Sequence, residues 1–233
     1  MKKKDEGGKR LKTKVSEWLC LDDFDLRMKK LREYPSRQVV NSLLSCLFSL
    51  DEKIRWRAIE AIGLVVKDMA DKDMESARVI MRRLMWNLND ESGGIGWGSP
   101  EAMGEILSRH QGLADEFQHI LLSYTYKEGN YLELESLQQG LLWGIGRFAR
   151  VRPQKVKEAV PYILDYLESS DGSVRGLAAW TLGAVRAKEA VPRLTELTGD
   201  DAPVRIYYGG QVRIMTVRAL AKEALEYIEN GAK

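Results

Sequence analysis

The sequence predicts an all-α protein built from about five stacked helix pairs. With 233 residues, 44% of them apolar and 30% charged, the chain is long enough to bury a core. Its apolar residues recur at helical spacing, and no segment shows the strict alternation of a strand. Small residues also recur at a nearly constant interval, which is typical of repeat architectures. These marker residues are Gly63, Gly104, Gly144, Gly183 and Ala221, and they stand 41, 40, 39 and 38 residues apart.

The first residues of the chain are rich in lysine. Residues 1–12 are predicted to form a disordered basic leader, and residues 13–33 a capping helix. No hydrophobic signal segment follows the leader, and no apolar run reaches the roughly 18 to 20 residues that a membrane helix needs. We therefore expect a cytoplasmic protein with a single repeat domain over residues 13–233.

Each repeat unit is predicted to hold two helices joined by a turn. Asp51 and Asp171 stand where the second helix of a unit begins, and their carboxylates can cap its free N–H groups. Pro161 and Pro192 are predicted to open first helices, where a missing N–H costs little. The five units are predicted at about 36–70, 73–111, 112–151, 153–187 and 188–230.

One segment carries the repeat pattern most completely. Residues 171–183 read Asp-x-x-Val-Arg-x-x-Ala-x-x-x-Leu-Gly, and residues 51–63 show a weaker copy. This pattern resembles HEAT repeats, especially the HEAT-like repeats of the phycobiliprotein lyase group. The resemblance implies a right-handed α-solenoid, an alpha-alpha superhelix of the armadillo-like kind, whose second helices line a concave surface. It also implies that proteins or peptides bind on that surface.

Two segments depart from the repeat. Four glycines within Gly93–Gly98 are incompatible with a good helix, whereas Ser99 followed by Pro100 favours a helix start. The second helix of unit 73–111 is therefore predicted to be shortened by about one turn, leaving a notch that carries Trp97. The last unit is predicted to contain an insert of about eight residues, Val204–Gln211. Both irregularities fall at the turn between first and second helices, so we expect them on one edge of the solenoid.

Aromatic and acidic residues suggest a binding surface. Trp56 and Trp97 both stand seven residues before a marker glycine, which predicts that they share one face of successive second helices. Aromatic rings beside carboxylates suit a cationic ligand or a peptide. Trp86, Trp143 and Trp180 follow the apolar register and are instead predicted to pack in the core. The candidate binding residues are Trp56, Asp90, Glu91, Trp97, Glu101, Glu133, Glu135, Tyr207 and Tyr208.

Several chemistries are disfavoured. The glycine-rich stretch lacks the Gly-Lys-Ser/Thr ending of a phosphate loop and is bordered by carboxylates that repel phosphate. Those carboxylates do not have the spacing of a calcium loop. Neither His110 nor His119 is followed by Glu, unlike the paired His-Glu motifs of the HEAT-repeat deoxyhypusine hydroxylases. We therefore predict no metal, no cofactor and no catalytic residue. Cys20 and Cys46 are too few for a disulfide framework and are predicted to be reduced, packed thiols.

The charge is unevenly distributed along the chain. The total is +2, but residues 1–14 carry +5 and residues 87–139 carry −7. A nucleic-acid groove needs a basic surface on the folded body, because phosphate contacts supply most of the affinity. The body without its leader is acidic, so we do not expect nucleic acid as a partner.

The predicted function is a non-catalytic scaffold that binds a protein or peptide, with a basic or cationic segment, on the concave face of the repeats. The alternative is a HEAT-like enzyme or enzyme subunit of the DNA glycosylase or phycobilin lyase type. The glycosylase alternative agrees with the chain in fold and length but in no motif that we find. The lyase alternative rests on the repeat alone, which builds the scaffold of those proteins.

Overall fold

The computed structural model of the chain describes residues 8–89 and 96–230. These residues form helices joined by short turns, with one two-stranded hairpin. The chain divides into two compact units, unit 1 up to Leu113 and unit 2 from Ala114 onward. The all-α repeat architecture is confirmed, whereas the single-domain boundary at residues 13–233 stays a prediction.

Unit 1 contains two short N-terminal helices followed by two helix pairs. Its helices are α1 (Gly8–Cys20), α2 (Phe24–Leu31), α3 (Ser36–Cys46), α4 (Glu52–Ala70), α5 (Met74–Asn89) and α6 (Ser99–Arg109). The predicted capping helix is thus two helices, and the first one already begins inside the predicted leader. The pairs α3–α4 and α5–α6 coincide with the predicted units 36–70 and 73–111.

The second helices of unit 1, α4 and α6, lie side by side. Asp51 caps α4 as predicted, since its Oδ1 atom accepts a hydrogen bond from the Lys53 backbone N–H at 2.8 Å. Gly63 allows the close approach of the two helices, because a Cβ atom there would lie 2.6 Å from Cγ of Glu105. The marker glycine therefore serves packing between neighbouring repeats, as the sequence pattern predicts.

Helix α6 is shortened, as predicted. It begins five residues before its marker Gly104, whereas α4 begins eleven residues before Gly63. The N-cap is Gly98 rather than Ser99, and Gly98 has a φ of 77°, a left-handed conformation that glycine adopts without strain. Pro100 lies in the first turn, where no N–H is needed.

Unit 2 contains three helix pairs and the hairpin. Its helices are α7 (Gln111–Ser123, beginning in the last residues of unit 1), α8 (Glu135–Ala149), α9 (Val160–Asp165), α10 (Gly172–Val185), α11 (Val191–Leu197) and α12 (Val217–Asn230). Short 3₁₀ segments flank α9 and precede α11. Pro161 and Pro192 lie in the first turns of α9 and α11, as predicted.

The second helices of unit 2 also lie side by side, with α10 between α8 and α12. Asp171 caps α10 by accepting a hydrogen bond from the Val174 backbone N–H at 2.8 Å. A Cβ atom on Gly183 would lie 2.6 Å from Cα of Ala224, so this marker glycine sits directly against α12. Thr181 donates a hydrogen bond to the Leu142 carbonyl of α8 at 2.8 Å. The core of unit 2 is therefore distributed between neighbouring helix pairs.

The insert in the last pair is a β-hairpin, so the prediction that the chain has no strand is wrong here. Strand β1 (Pro203–Tyr208) pairs antiparallel with β2 (Gln211–Thr216). Gly209 and Gly210, both with positive φ, make its two-residue turn. Only one face of the hairpin is buried, through Val204 and Ile206, and β1 packs on α10 while β2 packs on α12.

Two packing predictions are also wrong. The side chain of Trp86 is 73% exposed on α5, whereas Trp143 and Trp180 are buried as predicted. Cys20 is exposed at the end of α1, and only Cys46 is buried. Both errors fall in the last turn of a helix, where no described element covers the side chain.

Candidate functional site

One register position of the second helices differs between the two units. Three residues before the marker glycine, unit 1 has Glu60 on α4 and Glu101 on α6, whereas unit 2 has Trp180 on α10. Positions three residues before a marker follow the same helical face from repeat to repeat. This position is thus acidic in unit 1, whereas unit 2 has Leu141, Trp180 and Arg218 there.

Glu101 has the least usual environment among these residues. Its Oε2 atom is buried and has no hydrogen-bond partner among the described residues. Burial raises the pKa of the Glu101 carboxyl to about 7, although its own backbone N–H and the nearby Arg55 act in the opposite direction. Near neutral pH this carboxyl is therefore divided between its protonated and ionised forms, and the ionised form lacks a full partner.

The next turn of α6 carries a second glutamate, Glu105, whose charge is paired within unit 1. Glu105 is 2% exposed and accepts a hydrogen bond from Nε of Arg109 at 2.5 Å. Arg109 also lies 3.7 Å from Oε1 of Glu60, across the contact between α6 and α4. These three residues form an ion cluster that joins the two helices, and they leave Glu101 as the carboxyl with an unsatisfied oxygen.

Each predicted tryptophan stands four residues before a glutamate of this face, Trp56 before Glu60 and Trp97 before Glu101. Trp56 is half-buried on α4, next to Arg55, and Trp97 is 40% exposed just before α6 begins. The residue before Trp97, Gly96, passes close to α5, since a Cβ atom there would lie 2.6 Å from the Asn87 carbonyl oxygen. The start of α6 thus carries a partly exposed indole four residues before a buried carboxyl.

In unit 2 the corresponding face is covered by the chain itself. Trp143 of α8 donates a hydrogen bond from Nε1 to the Tyr207 carbonyl at 2.9 Å, so the hairpin lies across α8, α10 and α12. The guanidinium of Arg150 lies 4.6 Å from the ring of Trp180 and 5.4 Å from that of Tyr208. It also lies 5.0 Å from a third aromatic ring, that of Tyr227. The predicted site residues Tyr207 and Tyr208 therefore pack against their own unit.

The remaining predicted site residues fall into two groups. Glu133 and Glu135 are exposed in unit 2, at and just before the start of α8. Asp90 and Glu91 lie outside the described residues. Within unit 1, the structure therefore describes Trp56, Trp97 and Glu101 on or beside the paired second helices.

Sequence reasoning missed the ion cluster of Glu60, Glu105 and Arg109. The marker spacing contains the signal for Glu60, because it stands at the same register as Glu101. No comparable signal exists for the pairing of Arg109, which depends on the close approach at Gly63.

The described residues hold neither a candidate metal site nor a candidate membrane-spanning helix. Residues 8–89 and 96–230 hold no group of three histidine, cysteine or carboxylate side chains arranged to bind a metal ion. In the same ranges no helix is both long and apolar enough to cross a bilayer.

The repeat pattern of unit 2 matches two known families. Residues 135–185 match the HEAT-like repeat family, and residues 174–200 match the PBS lyase HEAT-like repeat family. Together these segments include α8, α9, α10 and α11. The protein therefore carries HEAT-like repeats, and the resemblance inferred from the sequence is confirmed.

A relative from Archaeoglobus fulgidus, described as an uncharacterized protein, is 30% identical over 121 residues. The match covers 52% of this chain and 57% of that protein, so the chain spans little more than half the length of this relative. The similarity does not supply a function.

Solved structures of designed repeat proteins share the fold. A designed armadillo repeat protein matches with a TM-score of 0.56 and 18% identity, covering 95% of this chain and 92% of that one. Another, in complex with the peptide (KR)4, matches with a TM-score of 0.51 and 16% identity, covering 92% and 98%. A third, computationally designed for modular peptide recognition, has a TM-score of 0.53 and 16% identity, with coverage of 92% and 90%. At these identities the likeness shows the fold alone.

Proposed function

We propose that this protein is a non-catalytic scaffold that binds a basic segment of another protein along the second helices of unit 1, α4 and α6. The observation that carries the proposal is the Glu101 carboxyl, which is buried with one oxygen unpartnered among the described residues. An added cation stabilises a buried ionised carboxylate more than a solvated carboxylate, because water screens the charge of the buried group poorly. A lysine or arginine side chain supplies that cation.

The aromatic residues support the same chemistry. Trp97 presents a partly exposed indole next to the start of α6, and Trp56 lies on the helix beside it. Indole rings attract ammonium and guanidinium groups through their faces. The fold adds support, since the designed armadillo repeat protein described above is in complex with a Lys-Arg peptide. The corresponding face of unit 2 is occupied by the hairpin, so we place the site in unit 1.

The test is binding of a labelled (Lys-Arg)₄ peptide to the full chain, followed by fluorescence anisotropy. Trp97→Ala and Glu101→Gln are each expected to weaken binding about five- to tenfold, the loss of one desolvated charge or cation–π contact. Trp86→Ala is the matched control, because it removes an exposed tryptophan from α5, the first helix of its pair, and should leave affinity within about twofold.

The dependence of affinity on pH gives a readout that a purely structural role of Glu101 does not produce. A cation binds the ionised carboxyl better, and the raised pKa of about 7 means that ionisation occurs around neutral pH. Affinity should therefore rise between pH 6 and pH 8 in the unsubstituted protein and stay flat in Glu101→Gln. Equal pH profiles for the two proteins would contradict the proposal.

A further inference from the structure

A polar pocket of about 230 Å³ lies within unit 2, apart from the face that the hairpin covers. It is formed by the segment after α7, the first turns of α8, the end of α9 and the turn before α10. The volume suits one long side chain better than a drug-sized ligand, for which pockets of roughly 300 Å³ or more are usual.

Tyrosine rings form one wall of this pocket. The rings of Tyr131 and Tyr166 are stacked with centroids 6.2 Å apart and planes 26° from parallel. Gln138 fixes Tyr131, because its Nε2 atom donates to the Tyr131 hydroxyl at 3.2 Å and to the Leu132 carbonyl at 2.9 Å. Burial, and secondly the neighbouring Tyr131, raise the pKa of Tyr166 above its usual value, so this ring stays an uncharged phenol. The wall is therefore rigid, aromatic and neutral.

The carboxylates of the pocket already bind cations of the chain itself. Nζ of Lys127 lies 2.8 Å from Oδ2 of Asp165, and Nε of Arg193 lies 2.8 Å from Oε1 of Glu168. The Lys127 and Asp165 side chains are both more than half exposed, so the pair is well solvated and easily exchanged. Lys127 thus shows the type of group that Asp165 accepts at the mouth of the pocket.

We propose that this pocket binds the guanidinium of an arginine side chain, which displaces Lys127 from Asp165 and packs against the ring of Tyr131. The inference extends the proposed function and rests on it for the basic character of the partner. Arginine fits better than lysine, because its planar group stacks on aromatic rings and donates two parallel hydrogen bonds to one carboxylate. An anionic ligand fits less well, since two carboxylates, Asp165 and Glu168, line the pocket against one cation, Lys127.

The experiment titrates the ¹⁵N-labelled full chain with N-acetyl-arginine amide and follows backbone amide shifts. N-acetyl-citrulline amide, a neutral molecule of nearly the same shape, is the matched ligand. Shifts at residues 125–138 and 162–170 are expected with the arginine derivative, at millimolar affinity, and not with citrulline. Equal binding of citrulline, or tighter binding of N-acetyl-lysine amide, would overturn the assignment.

Substitutions at two exposed residues are expected to change the affinity for the arginine derivative in opposite directions. Asp165→Asn should weaken binding of the arginine derivative about fivefold or more, because the charged acceptor is lost. Lys127→Ala should strengthen binding about two- to fivefold, because it removes the competing ammonium. Asp201→Asn, which alters an exposed carboxylate paired with Arg218, is the control and should change nothing. Unchanged or weaker binding by Lys127→Ala would refute the displacement.

The outcome of this titration is independent of the outcome of the peptide-binding test of the proposed function. Glu101→Gln lies in unit 1 and should leave binding of the single arginine derivative unchanged. Loss of (Lys-Arg)₄ binding in Glu101→Gln with the pocket shifts intact supports both sites. Pocket shifts together with equal pH profiles in the peptide assay would refute only the proposed site on α4 and α6.

Discussion

Replacing Trp180 with alanine is expected to lower the free energy of unfolding by about 4 kcal/mol, the usual cost of removing a buried tryptophan. The side chain is 3% exposed and packs against the backbone of α8, where a Cβ atom on Gly146 would lie 2.3 Å from Cζ3 of its ring. The Arg150 guanidinium lies over the same ring at 4.6 Å. The substitution therefore leaves a cavity between α8 and α10 and removes the ring that Arg150 contacts.

Chemical unfolding followed by circular dichroism measures this loss. Trp86→Ala is again the matched control, because its side chain is 73% exposed on α5 and its removal should cost no more than about 0.5 kcal/mol. Similar losses for the two variants would contradict the burial of Trp180 between α8 and α10.

Glu101→Gln is expected to stabilise the protein above neutral pH by about 3 kcal/mol relative to the unsubstituted chain. Burial raises the pKa of the folded-state carboxyl to about 7, from an ordinary 4.5. Between these two values the folded state holds a proton that the unfolded state has released, so unfolding free energy falls as pH rises. The loss is complete above pH 7 and absent below pH 4.5. The glutamine side chain does not ionise, so the unfolding free energy of the variant does not fall in this pH range.

The measurement is the unfolding free energy of both proteins at pH 5 and pH 8. We expect similar values at pH 5 and a clear advantage for the variant at pH 8. Glu75→Gln is the control, because Glu75 is exposed and a hydrogen bond from Arg82 lowers the pKa of its carboxyl. No gain for Glu101→Gln at pH 8 would show that the Glu101 carboxyl is not buried.

Much of the fold is predictable from spacing alone. The marker residues Gly63 and Gly183 lie at contacts between second helices, where a Cβ atom would collide with the next helix. Asp51 and Asp171 cap the helices that they were expected to cap. These features depend on short-range sequence patterns that recur in every repeat, which is why a single chain reveals them.

The errors arise where long-range contacts decide the structure. The alternation of the hairpin is short, because Val204 and Ile206 are buried in β1 while Tyr207 and Tyr208 contact α8 and Arg150. Their burial depends on helices far away in sequence. The prediction for Trp86 is wrong for the opposite reason, since within residues 8–89 and 96–230 no element covers this side chain.

The candidate site was predictable only in part. Trp56, Trp97 and Glu101 follow from their distance to the marker glycines, and the structure describes all three in unit 1. The unpartnered oxygen of Glu101 and the tyrosine pocket depend on burial and on side-chain packing, which periodicity does not reveal. Two further predicted site residues, Tyr207 and Tyr208, belong to the hairpin and pack within unit 2, so they do not contribute to the site.

The central claim is that a basic segment binds along α4 and α6 of unit 1. The most direct test is paramagnetic relaxation by a (Lys-Arg)₄ peptide that carries a nitroxide at one end, measured on amides of the ¹⁵N-labelled full chain. The account predicts signal loss centred on residues 56–63 and 97–105, reduced in Glu101→Gln. Signal loss centred on the hairpin of residues 203–216, with these two segments unaffected, would contradict it.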